Sequence, residues 1–144
     1  VMLDGDYFAA LKPFSIFDAN DLAYVYESLA HMMKFHSQHG FEHFIVNYVF
    51  ETTEQLEKFE HYLTDAAGPI HTFVLSCEQV EREHRIRKRN NESVDWELPR
   101  SAELAAILEA NNSAGTLGKK VDTTRLSIPE VAKKIYVWAS PKNE

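Results

Sequence analysis

The stretch that decides the fold is residues 70–90, IHTFVLSCEQVEREHRIRKRN, in which an apolar run gives way to a basic segment. The apolar residues 70–75 predict a buried β-strand, and a helix is predicted to begin near Cys77. This helix carries five of the chain's 15 lysines and arginines, namely Arg82, Arg85, Arg87, Lys88 and Arg89. Because the rest of the chain is strongly acidic, the basic segment predicts a local site for an anion.

The basic residues of this helix share a face. Arg82, Arg85 and Arg89 follow the i, i+3 and i+7 spacing of a helical stripe, so that one face can bind one anion. An alternative interpretation is that acidic residues within the helix neutralise it as an ordinary solvated surface. Those acids are Glu78, Glu81 and Glu83. The position of the helix directly after a strand favours the anion site.

Composition limits the domain count and the partners. A chain of 144 residues with 44% hydrophobic residues predicts a single domain, residues 1–144, with a real core. A net charge of −7 disfavours broad binding to nucleic acid or to an anionic membrane, so any bound phosphate is expected to be small. One cysteine, no membrane-length apolar run and no signal peptide predict a cytoplasmic location. The oligomeric state stays open.

Strands and helices alternate outward from this stretch. Strands are expected at residues 1–3, 44–50, 70–75 and 119–124. Helices are expected at residues 18–39 and after Thr52, Cys77, Pro99 and Ser127. Gly40 is placed to end the first of them, and capping boxes are predicted for Thr52 with Gln55 and for Ser127 with Glu130. The pattern predicts an α/β fold, a three-layer parallel sheet with helices on both faces.

Polar side chains follow the predicted strands at their carboxyl ends, where open parallel sheets bind ligands. They are Asp4, Asp6, Glu51, Thr52, Ser76, Thr123 and Thr124. A carboxylate there can accept the proton of an attacking hydroxyl or hold magnesium through water, while guanidinium groups bind phosphate oxygens. The combination predicts phosphoryl transfer. Asn47, in an apolar strand, is expected to be a hydrogen-bonded core group or to point toward an acceptor pocket.

These motifs together resemble the P-loop nucleoside and small-molecule kinases. The pieces that match, in chain order, are LDGD at 3–6, an acid with two threonines at 51–53, FVLSC with R-x-x-x-R at 73–89, and VDTT with S-x-P-E-x-A at 121–132. Each piece is short, and the resemblance comes from their order and spacing over nearly the whole chain. It implies a kinase, a transferase that moves a phosphoryl group from ATP, with Mg²⁺, to a hydroxyl or phosphate of a small metabolite such as a nucleoside or nucleotide.

The resemblance also implies roles for particular residues. Asp6 would accept the proton and hold Mg²⁺ through water, while the acceptor, flanked by helix 18–39, would be bound by Asp4, Asn47 and Glu51. A lid at residues 84–100 would close over the phosphates through the catalytic residues Arg85 and Arg89. Adenine would lie against residues 121–126, and the cofactor-binding residues would be Arg82, Arg100, Thr123 and Thr124.

The chain departs from this family in one respect, because it contains no G-x-x-x-x-G-K-[ST] phosphate loop. TLGKK at 116–120 lacks the first glycine and the hydroxyl, and it precedes a strand, so it is expected to be a surface turn. Either an N-terminal strand with its P-loop is missing from the chain as given, or the chain is a non-catalytic nucleotide-binding or protein-interaction domain that has lost them. The first is favoured, because a central strand cannot be removed without leaving its neighbours' backbone groups unpaired.

Overall fold

The computed structural model, which describes residues 1–10, 15, 18–63, 68–89 and 92–140, contains two pairs of parallel β-strands. One pair lies in Val1–Ile70 and the other in His71–Glu144, which are two compact units. We call them the N-terminal unit and the C-terminal unit. A single domain over residues 1–144 stays a prediction.

The described residues of the N-terminal unit form two short strands and three helices. In chain order they are β1 (Met2–Asp4), α1 (Gly5–Ala9), α2 (Ala19–Gln38), β2 (Ile45–Asn47) and α3 (Thr53–Tyr62). β1 pairs with β2 in the register Met2↔Ile45, Leu3↔Val46 and Asp4↔Asn47. Alternate residues of a strand face opposite sides, so Leu3 is directed into the core, whereas Met2 and Ile45 are each 67% exposed on the other face.

The core of the N-terminal unit is built on one face of α2. Val25, Tyr26 and Leu29 have helical spacing and are almost fully buried, and they pack with Leu3 and with Phe59 of α3. The ring of Tyr26 also contacts the aromatic rings that follow β2, those of Tyr48 and Phe50. The core therefore lies against the carboxyl end of β2, where the chain leaves the sheet.

The C-terminal unit has the same strand and helix alternation. Its elements are β3 (Phe73–Ser76), α4 (Gln79–Arg89), α5 (Val94–Asn111), β4 (Lys119–Asp122) and α6 (Ile128–Ala139). β3 pairs with β4 from Phe73↔Lys119 to Ser76↔Asp122. Since parallel strands share their direction, the carboxyl ends of β3 and β4 lie at one edge of the pair.

The buried residues of the C-terminal unit are few, and they surround β4. Ile86 of α4, Leu117 and Val121 are buried apolar residues, and Thr123 is a buried polar one. At the start of the strands, the rings of Phe73 and Trp138 stack with centroids 6.2 Å apart, which packs α6 on the pair.

The predicted helix ends can be compared with the structure. Gly40 follows α2 with a φ of 87°, which confirms the left-handed stop. The capping box of Ser127 with Glu130 is also confirmed, since the Glu130 carboxylate accepts the Ser127 N–H at 2.7 Å. In the Thr52 box the threonine caps the helix as predicted, but the Gln55 side chain bonds the N–H of Glu51 instead of that of Thr52.

The predicted helix start at Pro99 is wrong. α5 begins five residues earlier, at Val94, because the carbonyl of Ser93 accepts the N–H groups of Trp96 and Glu97 and closes the first turn there. Pro99 then lies inside the helix, where it lacks one N–H donor without ending the helix.

Parallel pairing within each unit is what the alternation of strands and helices favours. One continuous three-layer sheet with helices on both faces stays a prediction. In the part of the chain that the structure describes, no helix is long and apolar enough to cross a membrane.

Gly118→Ala is expected to destabilise the C-terminal unit by about 3 kcal/mol, because Gly118 has a φ of 136° and a Cβ there would lie 2.7 Å from the backbone carbonyl of Thr72. The matched control is Gly115→Ala, which also has a positive φ, 75°, but meets no atom within 4 Å. The control should cost about 1 kcal/mol. Urea unfolding of both variants measures the difference, and equal losses would contradict the close approach at Thr72.

Candidate functional site

The candidate site residues form two groups, one at the carboxyl end of each strand pair. Asp4, Asp6, Asn47 and Glu51 belong to the N-terminal unit, and the arginines of α4 belong with the threonines after β4 to the C-terminal unit. A single cleft shared by the two groups stays a prediction.

Asp4 organises the group in the N-terminal unit. It is the N-cap of α1, where its Oδ1 accepts the N–H of Asp6 at 3.0 Å. Its Oδ2 accepts the side-chain N–H of Asn47, its register partner on β2, at 3.0 Å. Asn47 is therefore hydrogen-bonded as expected, but it is exposed and does not lie in the core. These bonds tie the turn after β1 to the end of β2.

Tyr48 packs against the turn between the two aspartates. A Cβ added to Gly5 would lie 2.2 Å from the Tyr48 ring, so only glycine permits the backbone and the ring to come this close. The Tyr48 ring is 6.1 Å from that of Tyr26 in an edge-to-face arrangement. The glycine of LDGD is thus required for packing.

Burial and neighbouring acids set the electrostatics of Asp6 and Tyr48. Partial burial, followed by repulsion from Asp4, raises the pKa of Asp6 above its ordinary value. Burial, with Asp6 and Glu51 as further causes, raises the pKa of Tyr48 to about 12. Among the described residues, neither Asp4 nor Asp6 forms an ion pair with a basic side chain. We call Asp4, Asp6 and Glu51 the acidic cluster.

A buried tyrosine, Tyr26, adjoins the acidic cluster. It is 2% exposed, and its hydroxyl is buried without a hydrogen-bond partner in the described part of the chain. Burial raises its pKa, and the neighbouring Tyr48 and Glu51 raise it further. Glu51 is half-buried, and its N–H donates to the Gln55 side chain at 2.7 Å.

A cavity of about 400 Å³ adjoins Asp4. It is lined by Met2, Leu3, Asp4, Tyr7 and Phe8. Its walls are mainly apolar, with Asp4 as the charged group and the exposed ring of Tyr7 at its side. Such walls suit an apolar or flat portion of a small ligand.

In the C-terminal unit, residues 121–126, which we call the threonine loop, are fixed by hydrogen bonds. The carbonyl of Ser76, at the end of β3, accepts both the N–H and the hydroxyl of Thr123 at 2.9 Å. Thr124 donates its hydroxyl to Asp122 at 2.6 Å and accepts the N–H of Glu78 at 2.9 Å. The loop is therefore attached to β3 and to the residues that precede α4.

Arg85 bonds the threonine loop through its guanidinium group. Nη1 donates to the Thr123 hydroxyl at 3.2 Å, and Nη2 donates to the carbonyls of Thr123 and Thr124 at 2.9 and 3.2 Å. Nε donates to Glu81 at 2.7 Å, and this hydrogen bond is the largest of the causes that raise the pKa of Arg85. Three nitrogens of the group are thus engaged within the protein, and a phosphate contact by Arg85 stays a prediction.

The other predicted arginines have separate partners. Arg82 donates to the carbonyl of Cys77 at 3.1 Å, and its Nε is buried without a partner among the described residues. Arg89 is 65% exposed and lies 3.5 Å from Glu97. Arg100 bonds Glu103 at 2.7 Å. The structure joins Arg85, Thr123 and Thr124 directly, and a common phosphate site for all four arginines stays a prediction.

The threonine loop forms one wall of a second cavity, of about 360 Å³. It is lined by Glu78, Asp122, Thr124, Arg125, Leu126 and Lys134. The hydrogen bonds from the Thr124 hydroxyl and N–H lower the pKa of Asp122, which keeps this carboxylate ionised. The cavity combines both signs of charge with one apolar side chain.

Sequence reasoning missed several of these residues. Asp122 was not predicted as a site residue, although Asp122 and the predicted Thr124 have the spacing of a turn in which an aspartate accepts the N–H two residues later, and this signal was present in VDTT. Tyr26 and Tyr48 gave no separate signal, because aromatic residues in apolar segments indicate core packing. Arg125 and Lys134 come to the cavity through tertiary structure alone.

The described residues contain no group of three or more histidine, cysteine, aspartate or glutamate side chains able to hold a metal ion. A magnesium contact through Asp6 and water stays a prediction. Comparison of the chain with protein-family models, curated proteins and solved structures finds no match.

Asp6→Asn is expected to raise the free energy of unfolding at neutral pH. The native state raises the pKa of Asp6 above its ordinary 3.8, so the unfolded chain releases this proton at lower pH, and ionisation costs native stability as pH rises through the raised pKa. The increase in the free energy of unfolding that the amide gives should be complete above the raised pKa and absent below pH 3.8. Urea unfolding of both proteins across this range measures it, and a loss of stability at neutral pH would contradict the raised pKa.

Proposed function

We propose that this chain supplies the acceptor-binding and base-binding parts of an ATP-dependent kinase of the P-loop class. The reaction is transfer of a phosphoryl group to a small metabolite, such as a nucleoside or a similar hydroxylated compound. The acceptor is bound at the acidic cluster, and the nucleotide base is bound at the threonine loop.

The observation that carries this proposal is the environment of Asp6. Its carboxylate stands at the carboxyl end of a parallel strand pair, with its pKa raised and with its N–H held by Asp4. A carboxylate of raised pKa is a stronger base, and the removal of a proton from a hydroxyl requires a base. A hydroxyl acceptor is favoured over a phosphate acceptor, since Asp4 repels an anion and no ion pair offsets it in the described residues.

Some residues of this chain have the chemistry to hold the ATP and Mg²⁺ that the resemblance implies. Asp6 would hold Mg²⁺ through water, and the metal would offset the charge that develops on the transferred group. Of the three arginines of α4 predicted to bind phosphate, Arg89 is the exposed one, with a long contact of 3.5 Å to Glu97, and it would reach the donor phosphates from the proposed lid at 84–100. Arg82 and Arg100 would support that lid.

The proposed activity needs a phosphate loop that these 144 residues do not contain. A parallel strand leading into that loop would complete the proposed three-layer sheet. The sequence encoded immediately before Val1 tests this point, and a G-x-x-x-x-G-K-[ST] motif there would support the kinase.

The alternative function is a non-catalytic nucleotide-binding or protein-interaction domain. The engagement of Arg85 within the protein favours it, because that arginine is then not free to act on phosphates as placed. An intact gene without a phosphate loop would support this alternative. In either case we propose a cytoplasmic protein that acts without nucleic acid or a membrane as its partner.

Asp6→Asn is expected to lower phosphoryl transfer by about a hundredfold or more in the complete encoded chain, because the amide cannot accept the acceptor's proton. The measurement is transfer from γ-labelled ATP to a panel of hydroxylated metabolites, with folding checked by circular dichroism. Glu57→Gln, which removes an exposed carboxylate of α3, is the matched control and should keep full activity. Full activity in Asp6→Asn would show that Asp6 is not the proton acceptor.

Arg89→Ala is expected to weaken the steps that depend on the donor phosphates, by about tenfold, and to leave the free energy of unfolding nearly unchanged, because the side chain is 65% exposed. Steady-state kinetics against ATP concentration measure the effect. Lys88→Ala, an exposed neighbour on the same helix, is the control. Unchanged kinetics in Arg89→Ala would remove this residue from the proposed lid.

A further inference from the structure

We infer that Arg85 is a positioning residue that sets the threonine loop for the base of the nucleotide, and that it does not bind the donor phosphates. The inference rests on the proposed function, because it assigns the cavity beside the threonine loop to the base. It gives Arg85 a different role from that of Arg89 on the same helix.

The first argument is the number of donors already used. A guanidinium group has five N–H donors, and those of Arg85 make four contacts, with Glu81, the Thr123 hydroxyl and the carbonyls of Thr123 and Thr124. Since one donor is left, a phosphate bound bidentately would have to replace at least one of these contacts and would take a donor from Glu81, Thr123 or Thr124. Binding of phosphate by Arg85 therefore competes with these contacts, which maintain the loop.

The second argument is the position of Arg85 relative to the cavity. Thr124 lines the cavity, and the described residues that line it do not include Arg85. Arg85 bonds the backbone of the same threonine. It also bonds the Thr123 hydroxyl, which in turn donates to Ser76 at the end of β3. Arg85 thus holds the loop that forms the cavity wall without being one of the described lining residues.

The third argument is the chemistry of the cavity walls. The lining contains two carboxylates, Glu78 and Asp122, and two cations, Arg125 and Lys134, so it offers no net positive charge to a phosphate group. A neutral heteroaromatic base needs no such charge, since its ring can lie against Leu126 while its edge exchanges hydrogen bonds with the polar lining. The walls therefore favour the base over the phosphates as the occupant of this cavity.

The test compares adenosine with ATP as probes of the complete encoded chain, by isothermal titration calorimetry. Arg85→Lys keeps the charge but loses the planar fork that reaches two carbonyls at once. It is expected to weaken adenosine and ATP by the same factor, about tenfold. If Arg85 bound the phosphates instead, the adenosine affinity would be unchanged and only the ATP affinity would fall, because lysine lacks the bidentate fork.

A second variant tests the same contact by changing its partner in the threonine loop. Thr123→Val keeps the shape of the buried side chain and removes only the hydroxyl that Arg85 and Ser76 share. It should reproduce the losses of Arg85→Lys, and the double variant should lose less than the product of the two single losses, because both changes break one network. Arg87→Ala, an exposed arginine of α4, is the control and should leave both affinities unchanged.

The outcomes separate this inference from the proposed function. Equal losses for adenosine and ATP in Arg85→Lys, shared by Thr123→Val, support the inference. Loss of ATP affinity with adenosine affinity unchanged overturns it and leaves the kinase proposal intact. A wild-type chain that binds neither adenosine nor ATP overturns both.

Discussion

Thr123 donates its N–H and its hydroxyl to the carbonyl oxygen of Ser76, and these two hydrogen bonds hold together the ends of β3 and β4. A buried threonine has few other ways to satisfy its polar atoms, so the bonds also fix its rotamer. The hydroxyl is then oriented to accept from Arg85, and the backbone that follows is directed to the cavity. The loop, the guanidinium group and the cavity wall all depend on this one shared carbonyl.

In the N-terminal unit, a different interaction joins the ends of the two strands. There the carboxylate of Asp4 caps a helix with one oxygen and binds Asn47 with the other, so that one side chain fixes both strand ends. The strand ends of the two units therefore have opposite electrostatic surroundings. In the N-terminal unit, carboxylates lie beside tyrosines whose pKa values are raised. In the C-terminal unit, the guanidinium group of Arg85 is bound by carbonyl groups and by Glu81. This contrast supports the proposed division into a proton-accepting site and a base-binding site.

Local signals in the sequence predicted the order of the elements and several helix ends. The order of strands and helices, the stop at Gly40 and the cap at Ser127 follow from periodicity and from backbone preferences that act within a few residues. The start of α5 was not predicted by these signals, because the hydrogen bonds to the carbonyl of Ser93 outweighed the preference of Pro99 for a first turn. The close approach of Tyr48 to Gly5 and the contacts of Arg85 are tertiary, with partners 43 and 38 residues apart, and no local pattern specifies them.

Met2 and Ile45 were described as register partners that both face away from the core. Their side chains form an uncovered apolar surface on a two-stranded sheet, and apolar surface removed from water contributes about 25 cal/mol per Å². Copies of the chain that meet through this surface gain that contribution, and the gain acts by mass action. Association through this surface would make the apparent stability depend on protein concentration, which a dilution series measures.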